Sequence, residues 1–586
     1  MQHYPDLTAN PMSRIVTETF RGLDHRLRIL PGQWYDEENM TAAHYPLFSQ
    51  RAERGFLRTI ERPLGMLAKD ALMWIDGTEV YYNGLPVDGV RINPNTLPKQ
   101  MISMGAYAVI FPDKVYINTQ VLSDCGSLEA LYTATGDVRA VMCKADGSEY
   151  ENVSVGENAP EKPINGAVWV DTSSSPHVIK IWAEASAQWA EMATVYVRLE
   201  AAGIGVNFKT GDGIDISGLA GSAQLAELNS ANVIEAKGDD YIVVTGLLDA
   251  VHTQDGGLVV ERSCPDMDYV CEANNRIWGC KYGFDEKANK TVNEIYACKL
   301  GDPKNWRCYA GLSTDSYAVS VGTDGVFTGA AVLSGYPLFF KENCVHKLYG
   351  SMPENYQVTT TMCRGVQDGA WRSLNVVNEV LYYQTRNDVV RYDGSLPEGV
   401  SEELGGEKYT GGVAGSDGAV YYISMQDEDG FWHLFTYDTD KDIWHREDTT
   451  HALCFANLRG DLVYIDADSG QLVSASGRSG EKEGPVSWSA SSGIIGYEYP
   501  YSQYLSRFTI RAKLGVGATL TMYIEYDSEG GWIEMGTYTG TEAARSYNIP
   551  VIPRRCDHMR LRLTGRGDVK IYQISRFLEG GSEVWR

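Results

Sequence analysis

Short apolar runs, many of them alternating with polar residues, recur along most of the chain and end at Gly, Asn or Asp. A period of two is the pattern of a half-buried strand, and an Asn-Gly or Asp-Gly pair between two such runs indicates a hairpin. Residues 71–75 and 80–82 are runs of this kind, and they stop at Asp76-Gly77 and Asn83-Gly84. The pattern therefore predicts an all-β chain.

One unit of this pattern repeats. It consists of a turn, an aromatic-rich strand and a second strand that ends in an acidic turn, at a spacing of about 40–50 residues, which is the period of a β-propeller blade. Residues 65–120 are interpreted as one four-stranded meander. Residues 265–477 contain the later copies, at 268–280, 377–394, 418–444 and 460–473. We expect a propeller of about six blades, formed by 65–120 and 265–477.

Two other segments have strand signals outside this repeat. Residues 121–264 contain short strands punctuated by Gly, and we expect a small β-barrel or sandwich inserted into the propeller. Such an insertion is tolerated because the entropy cost of loop closure grows slowly with length. Residues 478–586 alternate cleanly, with turn signals every ten residues or so, which predicts a C-terminal β-sandwich of the jelly-roll type.

The first 64 residues lack the pattern of an independent domain. Apolar pieces such as 27–30 and 45–48 are short and separated by turn residues such as Pro31-Gly32. We expect residues 1–64 to form an extended arm that wraps another surface. The alternative is that they supply a strand or two to a neighbouring sheet.

The charge balance narrows the function. The chain has 77 acidic and 51 basic residues, a net charge of −26. A surface this acidic repels phosphate, which argues against a protein that grips DNA. It is compatible with a lumen through which DNA passes without adhering, and equally with a protein kept dispersed by its charge.

The cysteines and the N-terminus bear on location. The eleven cysteines include no C-x-x-C pair, and an odd number is untypical of a disulfide framework, so we expect reduced core thiols and assembly in a cytoplasm. The first residues have no basic segment followed by an apolar run, and no stretch of 18 apolar residues occurs. We expect neither a signal peptide nor a membrane anchor.

Candidate chemistry is sparse. The run 438–442 looks like a calcium loop but lacks the Gly and the Glu that such loops need, and the histidines form no metal-binding motif. Trp444, Trp532 and Trp585 could stack on sugars if exposed, or fill blades and interfaces. A Ser-His-Asp or Cys-His arrangement stays open. We predict no catalytic, cofactor-binding or metal-binding residues, no cofactor, and a chain that is not an enzyme.

Several sequence segments resemble those of the tail nozzle or "stabilisation" family of tailed phages. The central phrase 340–350 resembles the propeller of that family, and 571–576 with Glu579-Gly580 resembles its last strand. The N-terminal motifs that carry the resemblance are Phe20 and Gly22, Asp36, Asn39 and Met40, Tyr45 and Pro46, and Arg51 and Arg54. Together these motifs cover parts of the arm, the propeller and the C-terminal sandwich. The insert is the part that they cover least.

The resemblance implies a virion structural protein of the tail or head–tail region, assembled in the host cytoplasm. It would form a homo-oligomeric ring, commonly a hexamer, that continues the DNA channel and attaches or plugs the tail. Its partners would be the portal, the adaptor or other tail proteins, tail fibres, and DNA in transient, non-specific passage. The alternative is a tail-associated propeller protein that binds a receptor or degrades a glycan.

Overall fold

The computed structural model describes residues 12–286, 289–496 and 503–580. Within them the chain is all-β apart from one short α-helix, Ala223–Leu228, and three 3-10 turns. The predicted fold class is confirmed. No helix in this part of the chain is long and apolar enough to span a membrane. The three 3-10 turns are Pro353–Asn355, Trp371–Ser373 and Glu402–Leu404.

Seven antiparallel sheets in the described residues follow the propeller pattern. They are, in chain order: sheet 1, Pro63–Ala68, Leu72–Asp76, Glu79–Tyr82 and Leu85–Pro86; sheet 2, Gln100–Met104, Tyr107–Phe111, Val115–Asn118 and Cys125–Ser127; sheet 3, Tyr269–Ala273, Arg276–Asp285, Lys290–Ala297 and Tyr317–Ser320; sheet 4, Gly329–Leu333, Tyr336–Lys341, Cys344–Tyr349 and Gln357–Met362; sheet 5, Asn375–Val377, Val380–Gln384, Val389–Tyr392 and Glu398–Gly399; sheet 6, Thr410–Ser416, Val420–Gln426, Trp432–Asp438 and Ile443–Asp448; sheet 7, Ala452–Leu458, Asp461–Asp466, Gln471–Ser474, Gly55–Thr59 and Glu481–Lys482.

The first strands of these sheets lie side by side around a common centre. The first strand of sheet 7 packs against that of sheet 1, which closes the ring. Between sheets 4 and 5 the contact is made through the 3-10 turn Trp371–Ser373. Sheet 7 is itself completed from the N-terminal side, because Gly55–Thr59 pairs with Gln471–Ser474. Two distant segments of the chain thus share one sheet and hold the ring shut.

Residues 63–127 form two sheets where the sequence pattern predicted one meander at 65–120, so the described residues contain seven such sheets where about six were expected. Residues 87–99 link the two sheets. Val87, Val90 and Ile92 are buried with the cores of sheets 1 and 2, and they connect two meanders that read as a single one. Gly55–Thr59 was also assigned to the arm and not to the propeller.

The inserted segment has its own core. Its strands pair among themselves in three sheets around a buried cluster that includes Val138, Leu199 and Val260. The sheets contain Ala130–Thr133, Val259–Arg262, Gly213–Ser217 and Ala231–Val233; Ala236–Lys237, Tyr241–Thr245, Tyr196–Glu200, Asp137–Cys143 and His252–Asp255; and Val153–Gly156, Val168–Asp171, Val178–Ala183 and Gln188–Glu191.

The C-terminal strands form two sheets that enclose one apolar core, and N-terminal strands complete both. One sheet contains Met12–Thr17, Met40–Thr41, Phe48–Gln50, Val569–Gly580, Gln503–Leu514 and Ala544–Ile549; the other contains Asp36–Glu38, Ser487–Ser491, Met559–Arg566, Thr519–Tyr526 and Ile533–Thr539. We call this two-sheet unit the sandwich. The described part of the N-terminal segment, 12–64, is therefore not an extended arm. It adopts the second alternative and completes neighbouring sheets. Residues 1–11 lie outside the described residues.

Most of the N-terminal motifs that carried the resemblance are structural residues. Phe20 and Met40 are buried in the sandwich core. Gly22 has a φ of +71°, and a Cβ there would lie 2.2 Å from the carbonyl oxygen of Trp444 in sheet 6, so only glycine fits. Asn39 donates from Nδ2 to the Ser487 carbonyl at 2.8 Å. These residues dock the N-terminal segment onto the sandwich and onto sheet 6.

Arg51 and Arg54 form ion pairs at the point where the chain crosses between the sandwich and the propeller. Arg51 pairs with Glu483 and donates from Nε to Asn39 at 2.6 Å. Arg54 donates to Glu447 and Asp448, each at 2.6 Å. Burial alone would lower the pKa of Arg54, but Asp448 and Glu447 raise it well above its usual value. We call Arg51, Arg54, Glu447, Asp448 and Glu483 the clasp.

Candidate functional site: the central cavity

The seven first strands converge on a cavity of about 330 Å³, to which every propeller sheet contributes lining residues. We call it the central cavity. Most of its wall is small or apolar, because side chains from seven strands have to share the centre. The side chains that bear on its chemistry are Lys99, Glu272, Trp371, Arg372, Asn375, Cys454 and Phe455.

Glycine makes room for the aromatic part of this wall. Phe455 follows Cys454 on the first strand of sheet 7 and lies beside Gly415 of sheet 6. A Cβ at position 415 would lie 2.3 Å from the Cβ of Phe455, which is far inside van der Waals contact. Trp371 comes from the 3-10 turn that precedes sheet 5, and its ring lies 6.1 Å from that of Tyr269.

Arg372 is the unusual residue of the cavity. Its guanidinium carbon lies 4.9 Å from the centre of the Trp371 ring. It forms no hydrogen bond or ion pair with any other residue that the structure describes, although it is half-buried. Burial lowers the pKa of Arg372 below its usual value, and the influence of Cys454 opposes this only in part. The structure thus places in the cavity wall a cation that forms no ion pair with a carboxylate of the described residues.

The other charged and amide groups of the wall have partners. Lys99 donates to Asp113 at 2.6 Å, with both side chains buried. Gln100 donates to the Asp268 carbonyl at 2.8 Å and accepts from the Val270 N–H at 3.0 Å, which ties sheet 2 to sheet 3 across the point where the insert leaves the propeller.

Glu272 is the one carboxylate among the described lining residues. Its Oε1 accepts from the backbone N–H of Asn275 at 2.9 Å. Glycosidases of the common type use a pair of carboxylates on either side of the scissile bond. The described wall supplies one such group, so a second would have to come from elsewhere on the chain or from the bound molecule.

The candidate thiol nucleophiles are Cys454 and Cys344, and Cys344 lies beside His346. Burial raises the pKa of the Cys454 thiol to about 11, so it is protonated at neutral pH. Cys344 Sγ lies 3.8 Å from His346 Nε2, but burial raises the pKa of the thiol and lowers that of the imidazole to about 4. Both groups are therefore neutral, and the thiolate–imidazolium form of a reactive pair is disfavoured.

The calcium-like run 438–442 is a turn held by its own side chains. Lys441 donates to Asp438, and Asp442 accepts from the Tyr437 hydroxyl at 2.7 Å. Among the described residues, no group of three or more His, Cys, Asp or Glu side chains is arranged to hold a metal ion. All eleven cysteines are free thiols, and most of them are buried.

The three tryptophans that could stack on sugars differ in location and burial. Trp444 is buried in the core of sheet 6, with its ring 4.8 Å from that of Tyr437, so it cannot present a face to a ligand. Trp532 is half-buried at the sandwich, with the Arg562 guanidinium 4.1 Å from its ring centre. Trp585 lies outside the described residues. The sequence reasoning missed Trp371 and Arg372, since one Trp-Arg pair in a loop has no repeating signal.

No protein-family model matches the chain, and no curated protein matches its sequence. Among solved structures, an exo-β-1,3-galactanase from Phanerochaete chrysosporium is 9% identical over 52% of this chain and 94% of its own, with a TM-score of 0.20. PorZ, a surface component of the type-IX secretion system of Porphyromonas gingivalis, is 12% identical over 90% and 82%, with a TM-score of 0.27. A Trypanosoma rangeli sialidase is 8% identical over 98% and 97%, with a TM-score of 0.20.

The prediction that the chain is not an enzyme is contradicted by this comparison, because the galactanase and the sialidase are enzymes. At these identities and TM-scores the likeness assigns no substrate or reaction to this chain. None of the three structures is a phage protein. The virion location, the hexameric ring and the portal, adaptor, fibre and DNA contacts therefore stay predictions that rest on the motif resemblance.

Proposed function

We propose that this chain is a glycan-acting β-propeller protein that holds a saccharide in its central cavity. It is related to the alternative that the sequence left open beside the virion structural role, a tail-associated propeller protein that binds a receptor or degrades a glycan. The observation that carries it is the composition of the cavity wall, which combines the aromatic rings of Trp371 and Phe455 with apolar side chains and with polar groups such as Asn375 and Glu272.

The size of the cavity supports the proposal. Small-molecule sites are concave, are mostly apolar, hold a few placed polar groups and have volumes of roughly 300–1,000 Å³. The central cavity, at about 330 Å³, lies at the small end of that range and suits one or two sugar rings. A sugar has apolar C–H faces that pack on aromatic rings, and hydroxyls that pair with amides and carboxylates.

Calorimetric titration of the full chain with a panel of oligosaccharides tests the binding. We expect a panel member to bind the wild-type chain and to lose most of its affinity when Trp371→Ala removes the aromatic wall. Trp432→Ala is the matched control, because Trp432 is half-buried in sheet 6 and stacks on His451 at 3.8 Å, outside the described cavity wall. Equal losses in the two variants, or no binding by the wild type, would overturn the proposal.

Release of reducing ends from the bound glycan measures whether the site also cleaves it. Glu272→Gln separates the two steps, because it removes the carboxylate of the described wall while it keeps the shape and the acceptor oxygen of the side chain. We expect Glu272→Gln to retain binding and to lose any cleavage that the wild type shows. Retained cleavage would mean that the reacting groups lie outside this cavity.

A further inference from the structure

We infer that the saccharide is acidic and that Arg372 binds its carboxylate. This deepens the proposed function and rests on it. Arg372 lies in the wall of the central cavity and has no hydrogen-bond or ion-pair partner among the described residues.

Two guanidinium groups in the described residues that are more deeply buried than Arg372 have partners. Arg262 pairs with Asp212 at 2.7 Å, and Arg276 donates to three backbone carbonyls, those of Cys298, Ser313 and Asp315. This is the usual outcome, because a shielded charge without a partner is costly. Arg372 departs from this pattern at the cavity wall, where a bound anion would supply the missing partner.

The formal charges of the described wall cancel when Asp113, the partner of Lys99, is counted, but Arg372 has no hydrogen-bond or ion-pair partner among the described residues. Lys99 is neutralised by Asp113, and Arg372 and Glu272 are the remaining charged side chains of the described wall. Arg372 and Glu272 form no ion pair with each other in the described structure. A single guanidinium can pair with one anionic group of a ligand.

The shape of the guanidinium favours a carboxylate. Its planar fork presents two parallel N–H groups that match the two oxygens of a carboxylate. The centre of the Trp371 ring lies 4.9 Å from the central carbon of the guanidinium. Uronic and sialic acids carry a carboxylate on a sugar ring, so one molecule could occupy the aromatic wall and the guanidinium together.

The test compares an acidic saccharide with its uncharged methyl ester. A glucuronate-containing and a sialic-acid-containing oligosaccharide, each with its carboxyl methyl ester, are titrated into the full chain. We expect the wild type to bind at least one acid about tenfold or more tightly than the ester, as a charge-assisted pair provides. Arg372→Gln should bind acid and ester alike, and Arg372→Lys should restore part of the preference.

The control variant is Arg386→Gln, because Arg386 pairs with Glu342 on the surface and should leave the preference unchanged. Circular dichroism and urea unfolding confirm that each variant is folded. If acid and ester bind the wild type equally, or if only neutral saccharides bind, Arg372 is simply hydrated, and this inference fails while the proposed function stands. If no saccharide binds, both fail. Loss of the preference in Arg386→Gln would also overturn the inference.

Discussion

Arg54 donates from Nη2 to Oε2 of Glu447 at 2.6 Å, and the two side chains are only 8% and 6% exposed. The pair joins the segment that enters sheet 7 to the last strand of sheet 6. Asp448 holds the other end of the same guanidinium, also at 2.6 Å. The crossing between the sandwich and the propeller therefore depends on shielded charges and not on apolar packing alone.

Replacing Arg54 should destabilise the chain strongly. Arg54→Met leaves Asp448 without its cation and leaves Glu447 with only the longer pair to Arg51, at 3.8 Å; breaking a buried pair in this way costs about 3–5 kcal/mol. The measurement is the free energy of unfolding in urea. Arg386→Gln breaks the exposed pair with Glu342 and should cost about 1 kcal/mol or less. Similar losses in the two variants would show that the clasp carries little energy.

The clasp should weaken in acid. Burial alone would raise the pKa of Asp448 and of Glu483, but Arg54 and Arg51 respectively hold both pKa values below their usual ones. A lowered folded-state pKa adds stability that is complete above the unfolded pKa of about 4 and is lost as the pH falls through the lower folded value. Urea unfolding between about pH 5 and pH 3 should show this loss. Arg54→Met should have a shallower slope, and an unchanged slope would contradict the assignment.

Deletion of residues 1–60 should prevent the propeller from closing. The deletion removes Gly55–Thr59 from sheet 7 and several strands from the sandwich, so the edge of Gln471–Ser474 loses its partner. We expect aggregation or loss of a cooperative thermal transition. Deletion of 1–11, which removes none of the described strands, is the control. A soluble, cooperatively folding product from the longer deletion would show that the closing strand is dispensable.

Arg372 should cost stability in the absence of ligand. Arg372→Met keeps the length and the apolar stem of the side chain and removes a charge that has no partner among the described residues. We expect the free energy of unfolding to rise by about 1 kcal/mol. Addition of an acidic saccharide that binds should narrow or reverse this difference, because the ligand stabilises the wild type more than the variant. A destabilised Arg372→Met chain would mean that the charge is already compensated.

The ring predicted from the motif resemblance has its own test. Sedimentation and light scattering of the purified chain, alone and with portal and adaptor, measure its assembly. The prediction is a hexamer or a complex with the portal. A strict monomer that never joins the portal complex would contradict the ring, and it would leave the cavity proposal untouched.

The alternation of apolar and polar residues was enough to predict the all-β class, because strand periodicity is local. The sheet count was missed where pairing is not local. Gly55–Thr59 reads as part of an arm, yet it pairs with Gln471–Ser474, more than 400 residues away. Nothing in the strand itself specifies that partner.

The site was harder to predict for a related reason. Arg372 lies in a 3-10 turn, and it is a candidate site residue because no carboxylate of the described residues pairs with it. A missing counter-charge is visible only when all seven inner strands have been placed. A histidine illustrates the reverse: His346 belongs to no metal-binding motif in the sequence, and folding leaves it fully buried between the Thr323 and Thr360 hydroxyls, each 2.9 Å away.

The pairing of Met12–Thr17 with the strand Val569–Gly580 determines how the protein would respond to mechanical load. The strands are antiparallel, with Met12 opposite Glu579, so a force that separates residues 12 and 580 pulls at one end of the ladder. Hydrogen bonds in that geometry break one after another and not all at once. The sandwich should therefore unzip at low force, while the closing strand of sheet 7 stays unloaded until the clasp gives way.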